Sequence, residues 1–150
     1  MSLLAIDIGT SACKVAVFDK KGKVLATQAR GYPTYYPALG YAEQKPAEWW
    51  GAVCNAINGI LSSGTVKPKD IQAVGIDGQS WSCIPVDRHG NTLFDNPIWM
   101  DSRAEHICDD IKRDISERDI FKICGNPFEP YSILNPKGWR YAKGLGRITL

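Results

Sequence analysis

Two short apolar segments joined by a glycine turn constrain this chain more than any other feature. From Leu3 to Asp19 the sequence reads LLAIDIGTSACKVAVFD. Leu3 to Ile8 is apolar enough for a strand, Gly9-Thr10-Ser11 has turn composition, and Lys14 to Phe18 alternates as a second strand would. A β-hairpin is therefore expected at the start of the fold. Asp7 falls at the end of the first strand, where a carboxylate adds nothing to a core. Gly9 allows a tight turn and a close approach of backbone to a ligand. Thr10 and Ser11 add hydroxyls and backbone N–H groups, and Lys14 adds a positive charge. A carboxylate for a hydrated Mg²⁺, with N–H, hydroxyl and cationic donors for phosphate oxygens, is what a nucleotide site needs. The same composition also suits an ordinary turn that merely faces water.

An Asp-Thr-Gly loop of the aspartic-protease kind fits poorly, because Ile8 stands where that loop has a small hydroxyl residue. A length of 150 residues suits one domain with a real core, and 44% apolar residues is ordinary for a globular chain. A net charge of +2 gives no reason to expect nucleic acid or an anionic membrane as partner. The N-terminus passes straight into a strand without the features of a signal peptide. No apolar run approaches the ~20 residues that span a bilayer. The cysteines, Cys13, Cys54, Cys83, Cys108 and Cys124, are five and scattered, with no Cys-x-x-Cys pair. Neither a zinc ribbon nor a disulfide framework is suggested, and reduced thiols in a cytoplasmic protein are expected. His106 and Cys108 lie two apart, with no further ligands at zinc-site spacing.

Beyond the hairpin, Lys20 to Lys23 reads as a turn and Val24 to Tyr32 as a third strand, completing an antiparallel meander. Residues 33–46 are irregular, with Pro33, Pro37 and Pro46. Pro46 suits the first position of a helix expected from about Ala47 to Ser62, with Glu48 in its first turn and Gly64 beyond it. Trp50, Val53, Ala56, Ile57 and Ile60 form the face expected to pack on the sheet, with core packing expected for at least one of Trp49 and Trp50. Ile71 to Ile76 is a near-continuous apolar run, as in a buried strand. It ends at Asp77-Gly78-Gln79-Ser80-Trp81. Ser82 to Asp87 is expected to resume as a strand, followed by a hairpin turn over 87–91. Pro97-Ile98-Trp99-Met100 leads to Asp101-Ser102-Arg103, which opens a helix to roughly Arg113. Ser116 and Asp119 resemble a capping box for a short helix ending near Cys124-Gly125. The order of elements is that of an α/β fold, in which sites gather at strand ends. No internal repeat or low-complexity segment occurs.

Three stretches together resemble one family, the FGGY carbohydrate kinases, with xylulokinase-like members the nearest in pattern. AIDIGTSACKVAVFD resembles the family's first phosphate motif, and GYAEQKPAEWW the segment leading into its first helix. GIDGQSWSCIPVDRHGNTLFDNPIWMDSRA is similar to its substrate-loop stretch. The resemblance implies an incomplete ribonuclease H-like (actin-like ATPase) domain, a mixed sheet with an N-terminal β-meander and packed helices. It implies ATP and Mg²⁺ as cofactors and a sugar or polyol, xylulose-like, as the phosphate acceptor. Asp7 would act catalytically through the metal, with Gly9, Thr10, Ser11 and Lys14 around the phosphates. Gln79, Ser80, Trp81, Asp101 and Arg103 would face the sugar. Trp81, Asp101 and Arg103 supply the stacking surface and paired donors and acceptors that a polyol needs. The bland readings of Asp101 and Arg103 are a helix N-cap and a solvated charge.

Two departures qualify the resemblance. Xylulokinases usually carry Met-His after the Gly-Gln turn, whereas this chain has Ser80-Trp81, which bears on the identity of the sugar. Family members are also far longer, with a second domain that holds the adenosine pocket and a downstream Asp that acts as base. Residues 1–136 are expected to be the N-terminal part of the first kinase domain, and 137–150 do not resemble the family. The 150 residues alone are expected to be inactive and prone to self-association. A non-catalytic sugar- or nucleotide-binding module is the alternative. An actin-like or chaperone-type ATPase would share the hairpin but has no use for the Trp-x-Asp-x-Arg element.

Overall fold

A computed structural model describes residues 1–80 and 82–130 of the chain. Trp81, and the tail set apart on sequence grounds, lie outside the described residues. The chain divides into two compact units, Met1–Thr34 with Lys45–Gln79, and Tyr35–Gln44 with the residues from Ser80 onward.

In the first unit the expected meander forms from β1 (Ser2–Ile8), β2 (Ala12–Asp19) and β3 (Val24–Gly31), each antiparallel to the next. Alternation along β1 and β2 sends Leu4 and Ile6, with Cys13, Val15 and Val17, to one face. Helix α1 (Pro46–Ser62) lays Ala52, Val53, Ala56 and Ile60 on that face to close the core. Pro46 opens the helix and Glu48 sits in its first turn, as the sequence predicts. Val53, Ala56 and Ile60 of the expected face reach the core and Ile57 packs against it, but the first turn differs. Trp49 is buried, whereas Trp50 is 69% exposed. The two tryptophans are adjacent, about 100° apart around the helix, so they do not share one face.

The chain returns through a 3₁₀ turn at Pro68–Asp70 into β5 (Ile71–Gly78), which lies parallel to β1, giving the strand order β3-β2-β1-β5. The strand predicted as buried is therefore present but exposed. Val74 pairs with Leu4 and Ile76 with Ile6, so both share the face that α1 covers. They remain 55% and 71% exposed because α1 packs over β2 and β3, and β5 is the edge strand.

In the second unit β4 (Glu43–Gln44) pairs antiparallel with β6 (Asn96–Pro97). The strand predicted for residues 82–87 is reduced to an isolated bridge between Val86 and Thr92. Pro85 has no N–H to give to a ladder, and the Asp87 carboxylate folds the chain back by accepting from the His89 and Asn91 N–H groups at 2.8 and 2.9 Å. Helix α2 (Glu105–Asp114) packs Ala104 and Cys108 against Ile107, Ile111 and Phe128. Helix α3 (Glu117–Cys124) has the predicted cap, with Ser116 Oγ accepting the Asp119 N–H at 3.2 Å and Gly125 in the left-handed region. Among the described residues no helix is long and apolar enough to cross a membrane.

Candidate functional site

Strand register puts three charged residues in one row. Asp7 pairs with Lys14 on β2 and with Asp77 on β5. Directly opposed residues project from the same face, so the row lies on the side of the sheet away from α1. Lys14 Nζ lies 3.6 Å from Asp7 Oδ2, and both side chains are well exposed. Such a pair contributes about 0–1 kcal/mol, so either partner can turn to a ligand at little cost. The row also brings in Asp77, which the sequence reading passed over as a site residue. Its signal was a carboxylate ending an apolar run, the same signal that singled out Asp7.

The turn beside this row is held from several directions. The Gly9 N–H donates to the Ala12 carbonyl at 3.1 Å, the Tyr32 N–H to Ser11 at 3.3 Å and the Gln79 N–H to Ile8 at 2.8 Å. The Tyr32 hydroxyl donates to the Gly9 carbonyl. A Cβ on Gly9 would meet Ala12 O at 3.2 Å, so a side chain would press on the backbone of the turn, while it would only touch Asp7 Oδ1 at 3.8 Å. Burial pushes the Tyr32 phenol up to about 12, with the charges of Cys13 and Asp7 adding to it. Burial also pushes the Cys13 thiol up, aided by Asp7. Both groups are therefore protonated near neutral pH. Asp7 and Asp77 are opposed on adjacent strands, and Thr10 and Ser11 follow in the turn after β1, so the side-chain donors that this strand end offers are oxygens. That set fits a hard cation such as Mg²⁺, which keeps several of its waters.

Gln79 ends the first unit and Ser80 opens the later segment of the second, and Trp81 lies outside the described residues. Asp101 and Arg103 belong to the second unit, and their environment differs from the one expected. The Asp101 side chain has no exposed surface. Its Oδ2 accepts from the Ala42 N–H at 2.8 Å and from Arg103 Nη2 at 2.7 Å. Its Oδ1 accepts from the Arg103 N–H at 3.1 Å and from Nε at 2.8 Å. Arg103 Nη2 also donates to Glu43 Oε1 at 2.5 Å, and the guanidinium lies 3.8 Å over the Tyr41 ring. Burial works against the guanidinium charge, but the hydrogen bonds and charges of Asp101 and Glu43 outweigh it and raise the Arg103 pKa.

Asp101 is thus neither solvent-facing nor the N-cap of α2, a position held by Ala104 without a side-chain bond. It ties the 96–103 segment to the 40–43 loop. Ser102 adds its N–H to the Gly40 carbonyl at 2.8 Å, and Ile98 its N–H to Ala42 at 3.0 Å. Gly40 has φ +79°, which favours glycine, and a Cβ there would lie 2.9 Å from Ser102 Oγ, so that hydroxyl would have to turn away. Trp99, between these anchored residues, is partly exposed. Tyr41 and Glu43 lie in the GYAEQKPAEWW stretch, but nothing local in that sequence links them to Arg103.

Comparison with known proteins adds the family context. Residues 2–139 match the FGGY family of carbohydrate kinases, N-terminal domain. A glycerol kinase from Thermoanaerobacter sp. (strain X514) is 28% identical over 130 residues, covering 86% of this chain and 26% of the relative. A glycerol kinase from Francisella tularensis subsp. holarctica (strain FTNF002-00 / FTA) is 34% identical over 113 residues, covering 75% and 22%. The chain therefore spans about a quarter of the length of these relatives. The structure of ligand-bound xylulose kinase from Lactobacillus acidophilus is similar with a TM-score of 0.80 at 27% identity, over 95% of this chain and 28% of that one. The fold is accordingly the mixed-sheet, actin-like ATPase fold of these kinases, represented in part.

Proposed function

This chain belongs to the FGGY family of carbohydrate kinases, matching its N-terminal domain, and on that footing we propose that the protein transfers the terminal phosphoryl group of ATP to a hydroxyl of a sugar or small polyol. The observation that carries the proposal is the pinned turn of residues 9–11 beside the Lys14–Asp7–Asp77 row. Asp7, with Asp77 beside it, would hold Mg²⁺, which when bound offsets charge on the transferring phosphoryl group. The turn and Lys14 orient phosphate oxygens. Gln79, Ser80 and Trp81 contact the acceptor. Asp101 and Arg103 serve acceptor binding by building the loop that presents Trp99, whose ring offers a flat surface to the C–H face of a polyol. A cytoplasmic setting belongs to the same reading, since ATP and reduced thiols are found together there.

The finer assignment is a xylulose-like acceptor, resting on the resemblance of the substrate-loop stretch. Glycerol is its competitor, favoured by the sequence relatives. The deciding experiment is a coupled ADP-release assay on the full-length protein with glycerol, xylulose and an aldonate. A preference of roughly tenfold or more in kcat/KM, about 1.4 kcal/mol in transition-state binding, would identify the acceptor. ATP turnover that no acceptor stimulates would overturn the kinase reading and leave a binding module.

A further inference from the structure

We infer that Tyr32 is a positioning residue whose hydroxyl locks the Gly9–Ser11 turn into the one shape that the proposed nucleotide site uses. The identity of the ligand rests on the kinase reading above, but the clamp itself rests on geometry alone. Tyr32 follows directly on β3 and is 23 residues from the carbonyl it holds. It grips the turn on both sides of Thr10. Its backbone N–H holds the Ser11 carbonyl at 3.3 Å, and its hydroxyl holds the Gly9 carbonyl. The ring packs against the core of the first unit, so the hydroxyl is presented from a fixed platform.

A trans peptide is planar, and its C=O and N–H point in opposite directions. Fixing the Gly9 carbonyl therefore also fixes the direction of the Thr10 N–H. This peptide most needs a clamp, because Gly9 opposes rotation of the 9–10 plane less than any other residue would. Tyr32 stays a donor throughout the working range, since burial pushes its phenol up to about 12.

The test is Tyr32→Phe in the full-length protein, which removes the hydroxyl and keeps the packed ring. Loss of one neutral hydrogen bond is expected to raise KM for MgATP roughly 2- to 10-fold, with the acceptor KM within about twofold of wild type. Hydrogen exchange is expected to quicken at the amides of residues 9–12 and to stay unchanged along α1. An equal rise in both KM values, or unchanged exchange at residues 9–12, overturns the clamp. A wild-type protein that phosphorylates nothing overturns the kinase reading instead, and the exchange measurement then decides the clamp by itself.

Discussion

Among the described residues Asp7 forms an ion pair with the exposed Lys14, a weak tie, so replacing it should change chemistry rather than folding. Asp7→Asn is expected to leave acceptor affinity and the thermal midpoint close to wild type while kcat falls on the order of 10²-fold or more, the loss of metal-assisted charge stabilisation worth several kcal/mol. An unchanged kcat in steady-state kinetics would remove Asp7 from the metal site. Tyr32 gives a pH signature as well as a kinetic one. Its phenol is raised from an ordinary value of 10 to about 12 in the folded chain. The unfolded chain therefore loses that proton first, so the stability that Tyr32 adds is complete below pH 10 and is lost as pH rises toward 12. Urea unfolding across that range should show a steeper decline for wild type than for Tyr32→Phe, and parallel curves would deny the shift. Arg103 behaves differently from either. Removing it strands the carboxylates of Asp101 and Glu43 in a largely enclosed place. Arg103→Ala is expected to destabilise the second unit by roughly 3–5 kcal/mol, and Arg103→Lys to recover only part, because an ammonium cannot reproduce the planar fork. Equal stability of Ala and Lys variants, measured by chemical denaturation, would show that the fork geometry is immaterial.

At the scale of elements, the parts written in contiguous residues were legible. The 3–19 hairpin, Pro46 opening α1, and the Ser116 and Gly125 caps of α3 each depend on neighbours within a few positions. What the sequence hid was non-local. The apolar run 71–76 specifies a strand but not whether anything lies outside it, and here it is an edge. Residues 82–87 alternate like a strand, yet Pro85 and the Asp87 turn limit them to one bridge. The same divide runs through the site. Asp7, Gly9 and Lys14 announce themselves within one hairpin, whereas Glu43 reaches Arg103 across 60 residues. Strand β5 carries a prediction of its own. Eight residues without proline, seven of them exposed, at the sheet's edge among the described residues, form a template for pairing with a second copy. Sedimentation of residues 1–150 should show self-association that Ile76→Lys reduces, since a charge on an edge strand opposes pairing. Association that is indifferent to Ile76→Lys would place the contact elsewhere.

At the scale of the whole molecule, the residues proposed for phosphate belong to the first compact unit together with Gln79, whereas Ser80, Asp101 and Arg103, proposed to serve the acceptor, belong to the second. Phosphoryl transfer depends on bringing such groups to one reacting geometry, and positioning alone can account for about 7–11 kcal/mol of barrier lowering. The chain spans about a quarter of the length of the glycerol kinases that it matches, and the family resemblance puts the base that deprotonates the acceptor downstream of this stretch. A placed base contributes roughly 10²–10⁴ in rate. Residues 1–150, purified alone, are therefore expected to show no acceptor-dependent ADP release above background, whatever Asp7 and Lys14 contribute. Acceptor-dependent release by the 150-residue chain that survives further purification and disappears in Asp7→Asn would mean that a complete catalytic site, base included, lies within these residues.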